Sequence, residues 1–284
     1  MNNNSITILG AGVMGSGVAE LFATHCYQVE IIDKSKIQLQ KSKDRIMSNL
    51  KYNFLTQGEF KKVDSNKIIG NIKFTDKLEN VKKSNWIIEN ITEKWSEKEK
   101  LYSYLNNECS ENCIIGVNTS AISITKISSL MNNPSRIVGM HFMNPVPRMP
   151  LIEVVKGYHT NEHTLQSVRE LLQSLNKKMV TVEDSAGFVT NRAMMIFINE
   201  AIFMLQEKIS SVEDIDILFR QCFGHKMGPL QTADLIGLDT ILYSLEVIYN
   251  ELNDSKYRPC WLLKKMVNAG LLGEKSKKGF YTYE

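Results

Sequence analysis

The stretch SITILGAGVMG, residues 5–15, decides the fold that this sequence predicts. Its first five residues are mostly β-branched or aliphatic, which is typical of a short buried strand. The strand runs directly into the glycine pattern GAGVMG, and apolar residues then recur at helical spacing to about Thr24. A second apolar run, residues 29–32, ends at Asp33. A strand, a GxGxxG turn, a helix and a second strand ending in an acid are the context of a dinucleotide-binding βαβ unit.

Each glycine of this turn has a physical role in binding a dinucleotide. Gly10 makes the tight turn, Gly12 lets the backbone approach the pyrophosphate, and Gly15 lets the helix pack closely on the strand. The pyrophosphate is expected on the free N–H groups at the start of the helix, where Val13 and Met14 lie. We therefore predict that the whole turn binds the cofactor.

Asp33 indicates which dinucleotide is bound. It lies 18 residues after Gly15, where a carboxylate can accept a hydrogen bond from the ribose 2′-hydroxyl of NAD. The same carboxylate would repel the 2′-phosphate of NADP, so the sequence favours NAD. Lys34 and Lys36 follow closely and act in the opposite direction, because a nearby cation can accommodate a phosphate.

Beyond this unit the chain alternates between helical and strand patterns. Further strands are predicted at 86–89, 114–117, 136–141, 151–155 and 178–182, and helices at 34–68 (with a break at Gln57-Gly58), 96–107 and 161–176. This alternation predicts an α/β fold, a Rossmann-type doubly wound sheet, over residues 1–185. Residues 186–284 are predicted to form a smaller all-α C-terminal domain, with a strand signal only at Gly279–Tyr283.

The overall composition excludes several classes of protein. The chain has 284 residues with 34 Lys and Arg against 31 Asp and Glu, and a net charge of +3 is too weak to predict nucleic-acid binding. It has no pattern of a signal peptide and no apolar run of membrane-spanning length, so we expect a cytoplasmic protein without membrane partners. The five cysteines are odd in number and irregularly spaced, which predicts reduced thiols and no metal site.

Polar residues occur where predicted strands end. Ser120 and His141 each follow a strand, and ligands of open α/β sheets bind beyond those ends. Glu153 lies inside the apolar strand LIEVV, where an unpaired carboxylate would be costly, so it needs a partner. His141 is one candidate partner and Arg148 is another. Ser120 is also suited to capping the next helix, and His141 to a structural role.

Longer motifs make the sequence similar to a known family over essentially its whole length. The matching segments are GAGVMGSGVAE, IIENITE, NTSAISIT, GMHFMNPVPRMPLIEVV, GFVTNR, MGPLQTADLIGLD and SKYRPCWLLKKM, followed by GLLGEKSKKGFYTY. In this order they resemble the L-3-hydroxyacyl-CoA dehydrogenase family, most closely its short bacterial 3-hydroxybutyryl-CoA dehydrogenases. The resemblance implies an enzyme that interconverts L-3-hydroxyacyl and 3-oxoacyl thioesters by hydride transfer with NAD.

The family pattern implies catalytic roles for four residues. His141 would be the general base that takes the hydroxyl proton, and Glu153 would hold the imidazole and stabilise the imidazolium. Ser120 and Asn191 would hydrogen-bond the reacting oxygen or the thioester carbonyl. Further positions match family contacts to NAD, namely Glu93, Lys98, Asn118, Asn144 and Lys275. The C-terminal domain would close the substrate cleft and form the interface of a homodimer.

The sequence departs from the family where relatives meet coenzyme A. Residues 51–58 read KYNFLTQG, with one lysine where relatives carry several, and Pro150 stands where a lysine beside the active-site strand is usual. Arg148 offers a compensating cation. These departures leave two thioester carriers open: coenzyme A, and an acyl carrier protein of the kind used in polyketide extender-unit biosynthesis. A third alternative is a non-catalytic NAD-binding homologue, because a fold does not guarantee an activity.

Overall fold

The structure is a computed structural model that describes residues 5–56 and 65–284. The chain divides into two units, the first ending at Asp184 and the second beginning at Ser185. The helix break predicted at Gln57-Gly58 lies outside the described residues. None of the helices in the described part of the chain has the length and apolar character needed to cross a membrane.

The described part of the first unit is built on an eight-stranded sheet with the order β3-β2-β1-β4-β5-β6-β7-β8. The strands are β1 (Ser5–Leu9), β2 (Gln28–Ile32), β3 (Ile72–Thr75), β4 (Trp86–Glu89), β5 (Ile114–Val117), β6 (Ile137–His141), β7 (Leu151–Lys156) and β8 (Lys178–Glu183). Neighbouring strands run parallel except β6 and β7, which are antiparallel. The chain turns from one half of the sheet to the other between β1 and β4, which is where such sheets bind ligands.

Helices connect these strands and cover the sheet. They are α1 (Val13–Thr24), α2 (Lys36–Thr56), α3 (Ser65–Gly70), α4 (Trp95–Glu108), α5 (Ile124–Ser128) and α6 (Glu162–Ser174). All four residues of β5 and all five of β6 are buried, so both faces of the sheet are covered at its centre. This arrangement confirms the predicted doubly wound α/β fold.

Strand β3 has no counterpart in the sequence prediction. It has four residues at the edge of the sheet, where Ile72 is buried and Lys73 is exposed. Its sequence IKFT is not a continuous apolar run, unlike the runs in the equally short strands β4 and β5, so the sequence does not predict it. Its parallel pairing with β2, rather than its own propensity, makes it a strand.

The described second unit is helical. Its helices are α7 (Thr190–Gln206), α8 (Val212–Phe223), α9 (Pro229–Ile236), α10 (Leu238–Leu252) and α11 (Trp261–Asn268). Each contributes to one apolar core, in which Ile198, Leu230 and Leu245 are fully buried. Ser211 caps α8 by accepting a hydrogen bond from the N–H group of Asp214 at 3.1 Å.

The strand signal at Gly279–Tyr283 gives only an isolated bridge in the described structure, between Lys278 and Thr282. The N–H groups of Phe280 and Tyr281 donate to the buried carboxylate of Asp234 instead of to a neighbouring strand. A carboxylate can accept several hydrogen bonds, so it satisfies this segment without a ladder.

Candidate active site

A cleft of about 660 Å³ opens at the carboxyl ends of β1, β2 and β4. It is lined by the glycine turn after β1, by Asp33 after β2 and by Asn90 after β4. Leu101 and Tyr104 of α4 line it as well. Its place at the switch point of the sheet is the one at which open α/β sheets bind ligands, and its volume is typical of a small-molecule site.

The glycine turn leaves open the space that a pyrophosphate needs. Gly10 has a φ of +96°, and a Cβ there would lie 2.5 Å from the carbonyl oxygen of Asn90. A Cβ on Gly15 would collide with the carbonyl oxygen of Gly10, so the helix could not approach the strand this closely. A Cβ on Gly12 would meet nothing within 4 Å, and the backbone there is open to a ligand. The turn therefore fits a phosphate group at the start of α1.

Asp33 is fixed at the cleft by backbone groups. Its Oδ2 accepts a hydrogen bond from the N–H group of Ala11 at 2.8 Å, and its Oδ1 accepts one from Ser35 at 2.8 Å. A carboxylate oxygen can accept more than one hydrogen bond, so Asp33 can also accept from a ribose hydroxyl. Val13 and Met14 line the same cleft, beside the start of α1.

The lysines that could favour a 2′-phosphate have acidic neighbours. The Nζ atom of Lys34 lies 3.1 Å from Glu97, and that of Lys36 lies 3.5 Å from Asp76. Exposed ion pairs of this kind are weak one by one. Both acids line the cleft together with Asp33, however, and their charges oppose a phosphate there. This arrangement fits NAD better than NADP.

His141 and Glu153 are register partners across the antiparallel strands β6 and β7. Oε2 of Glu153 lies 2.8 Å from Nδ1 of His141, and both residues are buried. An ionised carboxylate can only accept a hydrogen bond, so Nδ1 carries the proton and donates it. Nε2 then presents a lone pair, and it lies 3.2 Å from Oγ of Ser120. In this tautomer Nε2 can accept a proton, as a general base must.

Ser120 is therefore brought to the histidine, and a different serine caps the following helix. The N-cap of α5 is Ser123, whose side chain accepts a hydrogen bond from the N–H group of Lys126 at 3.1 Å. The alternative in which Ser120 caps this helix is wrong, because α5 begins three residues later than that role requires.

Asn118 connects the strand ends around the cleft. Its Nδ2 donates to Oδ1 of Asn90 at 2.7 Å, and its Oδ1 accepts from the N–H group of Phe142 at 3.1 Å. Asn90 lines the cleft, and Phe142 directly follows His141. The amide thus links the cofactor cleft to the strand that carries the histidine.

Glu93 and Lys98 belong to a network with Glu89, a residue that the sequence analysis did not single out. Lys98 is fully buried, and its Nζ lies 2.9 and 2.7 Å from the two carboxylate oxygens of Glu89. Burial raises the pKa of Glu89, while the Lys98 ammonium opposes this rise. Glu93 accepts hydrogen bonds from the N–H groups of Ser120 at 3.0 Å and Ala121 at 3.2 Å. The available signal was an acid ending the apolar run WIIE.

The other predicted site residues lie further from this network or in the second unit. Asn144 is exposed in the loop that follows β6. Asn191 is the second residue of α7. Lys275 is exposed and forms an ion pair with Asp239. Asn191 and Lys275 therefore lie in the second unit.

No cluster of three or more His, Cys, Asp or Glu side chains in the described residues could hold a metal ion. The cysteines are free thiols. A hydrogen bond from the thiol of Cys113 lowers the pKa of Cys109, and the guanidinium of Arg136 acts in the same direction.

A glycine turn that fits a pyrophosphate, followed by an acid that favours NAD, defines the first unit as an NAD-binding domain of the dehydrogenase type. Comparison with known protein families identifies the family to which the chain belongs. Residues 5–185 match the NAD-binding domain of 3-hydroxyacyl-CoA dehydrogenase, and residues 187–283 match its C-terminal domain. The chain therefore belongs to the 3-hydroxyacyl-CoA dehydrogenase family, and its cofactor is NAD.

Individual relatives match the chain over nearly its whole length. A probable 3-hydroxybutyryl-CoA dehydrogenase of Bacillus subtilis is 39% identical over 284 residues, which cover 100% of this chain and 99% of the relative. The 3-hydroxybutyryl-CoA dehydrogenase of Clostridioides difficile is 38% identical, with 98% and 99% covered. The crystal structure of the (S)-3-hydroxybutyryl-CoA dehydrogenase of Ralstonia eutropha superposes with a TM-score of 0.92 at 38% identity, covering 99% of each chain.

Proposed function

We propose that this protein is a 3-hydroxybutyryl-CoA dehydrogenase, which interconverts L-3-hydroxyacyl-CoA and 3-oxoacyl-CoA with NAD. The observation that carries this proposal is the contact chain Ser120–His141–Glu153, with distances of 3.2 and 2.8 Å. A buried base whose Nε2 carries no proton is what the removal of a hydroxyl proton needs. The names of the relatives supply the substrate class.

NAD, which the glycine turn and Asp33 would hold, would supply the acceptor for the hydride that leaves the carbon bearing the hydroxyl group in the oxidation direction. Nε2 of His141 takes the proton of that hydroxyl. The carboxylate of Glu153 accepts the hydrogen bond from Nδ1 and stabilises the imidazolium that forms. Ser120 donates to or accepts from the reacting oxygen and so holds it in line with Nε2. In the reduction direction, His141 returns the proton to the alkoxide.

For the cofactor, the glycine turn holds the pyrophosphate and Asp33 accepts from the adenosine ribose. The fit of Gly12 and the fixed position of Asp33 support these two assignments. The family resemblance supports further cofactor contacts of Glu93, Asn118, Asn144 and Lys275, and a substrate contact of Asn191. The resemblance also includes Lys98 among the cofactor positions, and its fully buried ammonium is bonded to Glu89 and lies 3.6 Å from Glu93.

Coenzyme A is the proposed carrier of the acyl group. The lysine-poor stretch at residues 51–58 lies mostly among residues whose side chains are not described, and it does not favour either carrier. The test compares NADH oxidation with acetoacetyl-CoA and with acetoacetyl groups on an acyl carrier protein. We expect saturation with the coenzyme A ester at about 1 μM to 1 mM, the usual range of KM. Activity with the carrier-protein thioester alone would contradict this proposal.

A matched control distinguishes an error in the assigned acyl carrier from an error in the assigned reaction. The His141→Gln variant should be inactive with both thioesters, since the base is the same for each. If wild type reduces both thioesters slowly and His141→Gln reduces them more slowly still, the assigned reaction holds but the natural acyl carrier is neither of the two. If His141→Gln changes neither rate, the reaction itself is wrong.

The helical second unit is proposed to form the interface of a homodimer. Several of its large apolar side chains are more than half exposed, including Leu218 at 54%, Phe223 at 70% and Trp261 at 64%. Exposed apolar groups of this size mark interaction surfaces where they cluster. Light scattering on the purified protein should give twice the mass of one chain. A monomer at micromolar concentration would contradict this assignment.

A further inference from the structure

The buried network beside the catalytic histidine contains a carboxylate, Glu89, whose own side chain does not line the cleft. Glu89 ends β4, is fully buried, and holds the ammonium of Lys98 at 2.9 and 2.7 Å. It is itself fixed by the N–H group of Ile91 at 2.8 Å and by the hydroxyl of Tyr102 at 3.3 Å. These hydrogen bonds fix the position of the Glu89 carboxylate, which in turn holds the ammonium of Lys98.

Lys98 lies between two carboxylates but bonds only one of them closely. Its Nζ is 3.6 Å from Oε2 of Glu93, which is longer than a hydrogen bond. Oε1 of Glu93 is left to accept hydrogen bonds from the hydroxyl of Thr119 and from the N–H groups of Ser120 and Ala121. This carboxylate thus fixes the loop 119–121, whose serine lies 3.2 Å from His141.

We infer that Glu89 is a positioning residue for the proposed reaction, because it holds the Lys98 ammonium away from Glu93 and leaves Glu93 to fix the loop that carries Ser120. The inference rests on the proposed function, since it assigns a role in the same chemistry. Stability alone does not account for such a network. The desolvation of a buried ion pair often offsets its attraction, and apolar side chains of similar size can be as stable.

Removing the charge of Glu89 should change which of the two carboxylates, Glu89 or Glu93, interacts most strongly with the Lys98 ammonium. In Glu89→Gln the buried ammonium has Glu93 as its remaining carboxylate within reach. Unpaired buried charge is costly, so Lys98 and Glu93 should move together and Glu93 should loosen its bonds to the loop. A shift of about 1 Å in a positioning group can cost about 100-fold in rate. The effect should appear in kcat, because the loop that Glu93 would loosen carries Ser120, which lies 3.2 Å from His141.

The test is a double-mutant cycle in acetoacetyl-CoA reduction by NADH, with Glu89→Gln and Ser120→Ala. We expect Glu89→Gln to lower kcat about 10-fold or more when Ser120 is present, and less than about 3-fold when Ser120 is already alanine. The KM for acetoacetyl-CoA should stay within about 3-fold of wild type. Equal losses in the two backgrounds, or a loss confined to the KM for NADH, would overturn the inference. If Ser120→Ala alone left kcat unchanged, the proposed function would fail instead.

Two further variants separate positioning from general loss of structure. Asp216→Asn removes another buried carboxylate charge, one that accepts from backbone N–H groups in the second unit. It should lower the melting temperature without lowering kcat. Glu89→Gln/Lys98→Met removes the ammonium as well, so nothing draws Glu93 from the loop, and kcat should rise above that of Glu89→Gln. A double variant that folds but is no more active than Glu89→Gln would contradict the role assigned to Lys98.

Discussion

Two buried carboxylates in the same sheet have partners of different chemistry. Glu153 lies 2.8 Å from the imidazole of His141, and Glu89 lies 2.7 Å from the ammonium of Lys98. A lysine ammonium loses its proton only far above neutral pH, whereas an imidazole gains and loses one close to it. Burial and distance are alike in the two pairs. Under the proposed function, the proton affinity of the partner therefore decides whether the carboxylate supports proton transfer or fixes geometry.

The two pairs also form by different routes along the chain. His141 and Glu153 are 12 residues apart and meet because β6 and β7 pair in register. Glu89 and Lys98 are nine residues apart and meet where β4 leads into the first turns of α4. A change in the pairing of β6 with β7 would separate the first pair without disturbing the second.

Replacing the imidazole of His141 should have the largest effect on the rate of the reaction. His141→Gln keeps a polar side chain of similar reach but cannot accept and return a proton near neutral pH. We expect kcat for acetoacetyl-CoA reduction to fall about 100- to 10,000-fold, the usual contribution of a general acid or base. His163→Gln changes an exposed histidine of α6 and should leave the rate as it is. A His141→Gln enzyme with more than a tenth of wild-type activity would refute the assignment.

Removing the charge of Glu153 tests the other half of the same pair. Glu153→Gln can still accept a hydrogen bond from Nδ1, but it no longer stabilises the imidazolium. A hydrogen bond to a charged group is worth about 1.5–3 kcal/mol, which corresponds to a fall in kcat of about 10- to 100-fold. Steady-state kinetics should show little change in KM. Glu162→Gln removes an exposed acid that pairs with Lys156 at 3.2 Å, and an equal loss there would show that the effect is not specific.

Asp33 extends the comparison to a carboxylate whose protein partners are backbone N–H groups. Such a group needs no buried cation and can accept from a ligand. Asp33→Asn should raise the KM for NADH about 10-fold, because a charge-assisted hydrogen bond to the ribose is lost, while kcat at saturation stays nearly unchanged. Asp44→Asn, an exposed acid on α2, is the control. Wild-type enzyme that prefers NADPH would contradict the role given to Asp33.

The sequence predicts the class of fold and most strands because β1, β4, β5 and β6 are apolar runs between helical segments. It does not predict β3, whose four residues become a strand only by pairing with β2. His141 and Glu153 could be nominated because an acid in an apolar strand needs a partner. The same rule marks Glu89 as an acid at the end of the apolar run WIIE, but it does not tell whether that acid faces a cleft or a lysine nine residues away. The partner of such an acid depends on the direction in which its side chain points at the end of the strand. The hydrophobic periodicity of the sequence does not give that direction.

Asp216 is a buried carboxylate of the second unit that differs from Glu153 and Glu89 in its partners. The groups that donate hydrogen bonds to it in the described structure are neutral. The hydroxyl of Tyr281 donates to it at 2.9 Å, and burial together with this carboxylate raises the pKa of Tyr281 above its usual value. The folded chain therefore keeps a proton that the unfolded chain loses from about pH 10 upward, so this contribution to stability is present below that pH and declines above it. Tyr281→Phe should lower the free energy of unfolding by about 1 kcal/mol near neutral pH and by less as the pH rises beyond 10, with kcat unchanged. Urea denaturation on both sides of that pH measures the difference, and Tyr158→Phe, at a residue that is 84% exposed, is the control. A loss of stability that is independent of pH would show that the phenol does not titrate against Asp216.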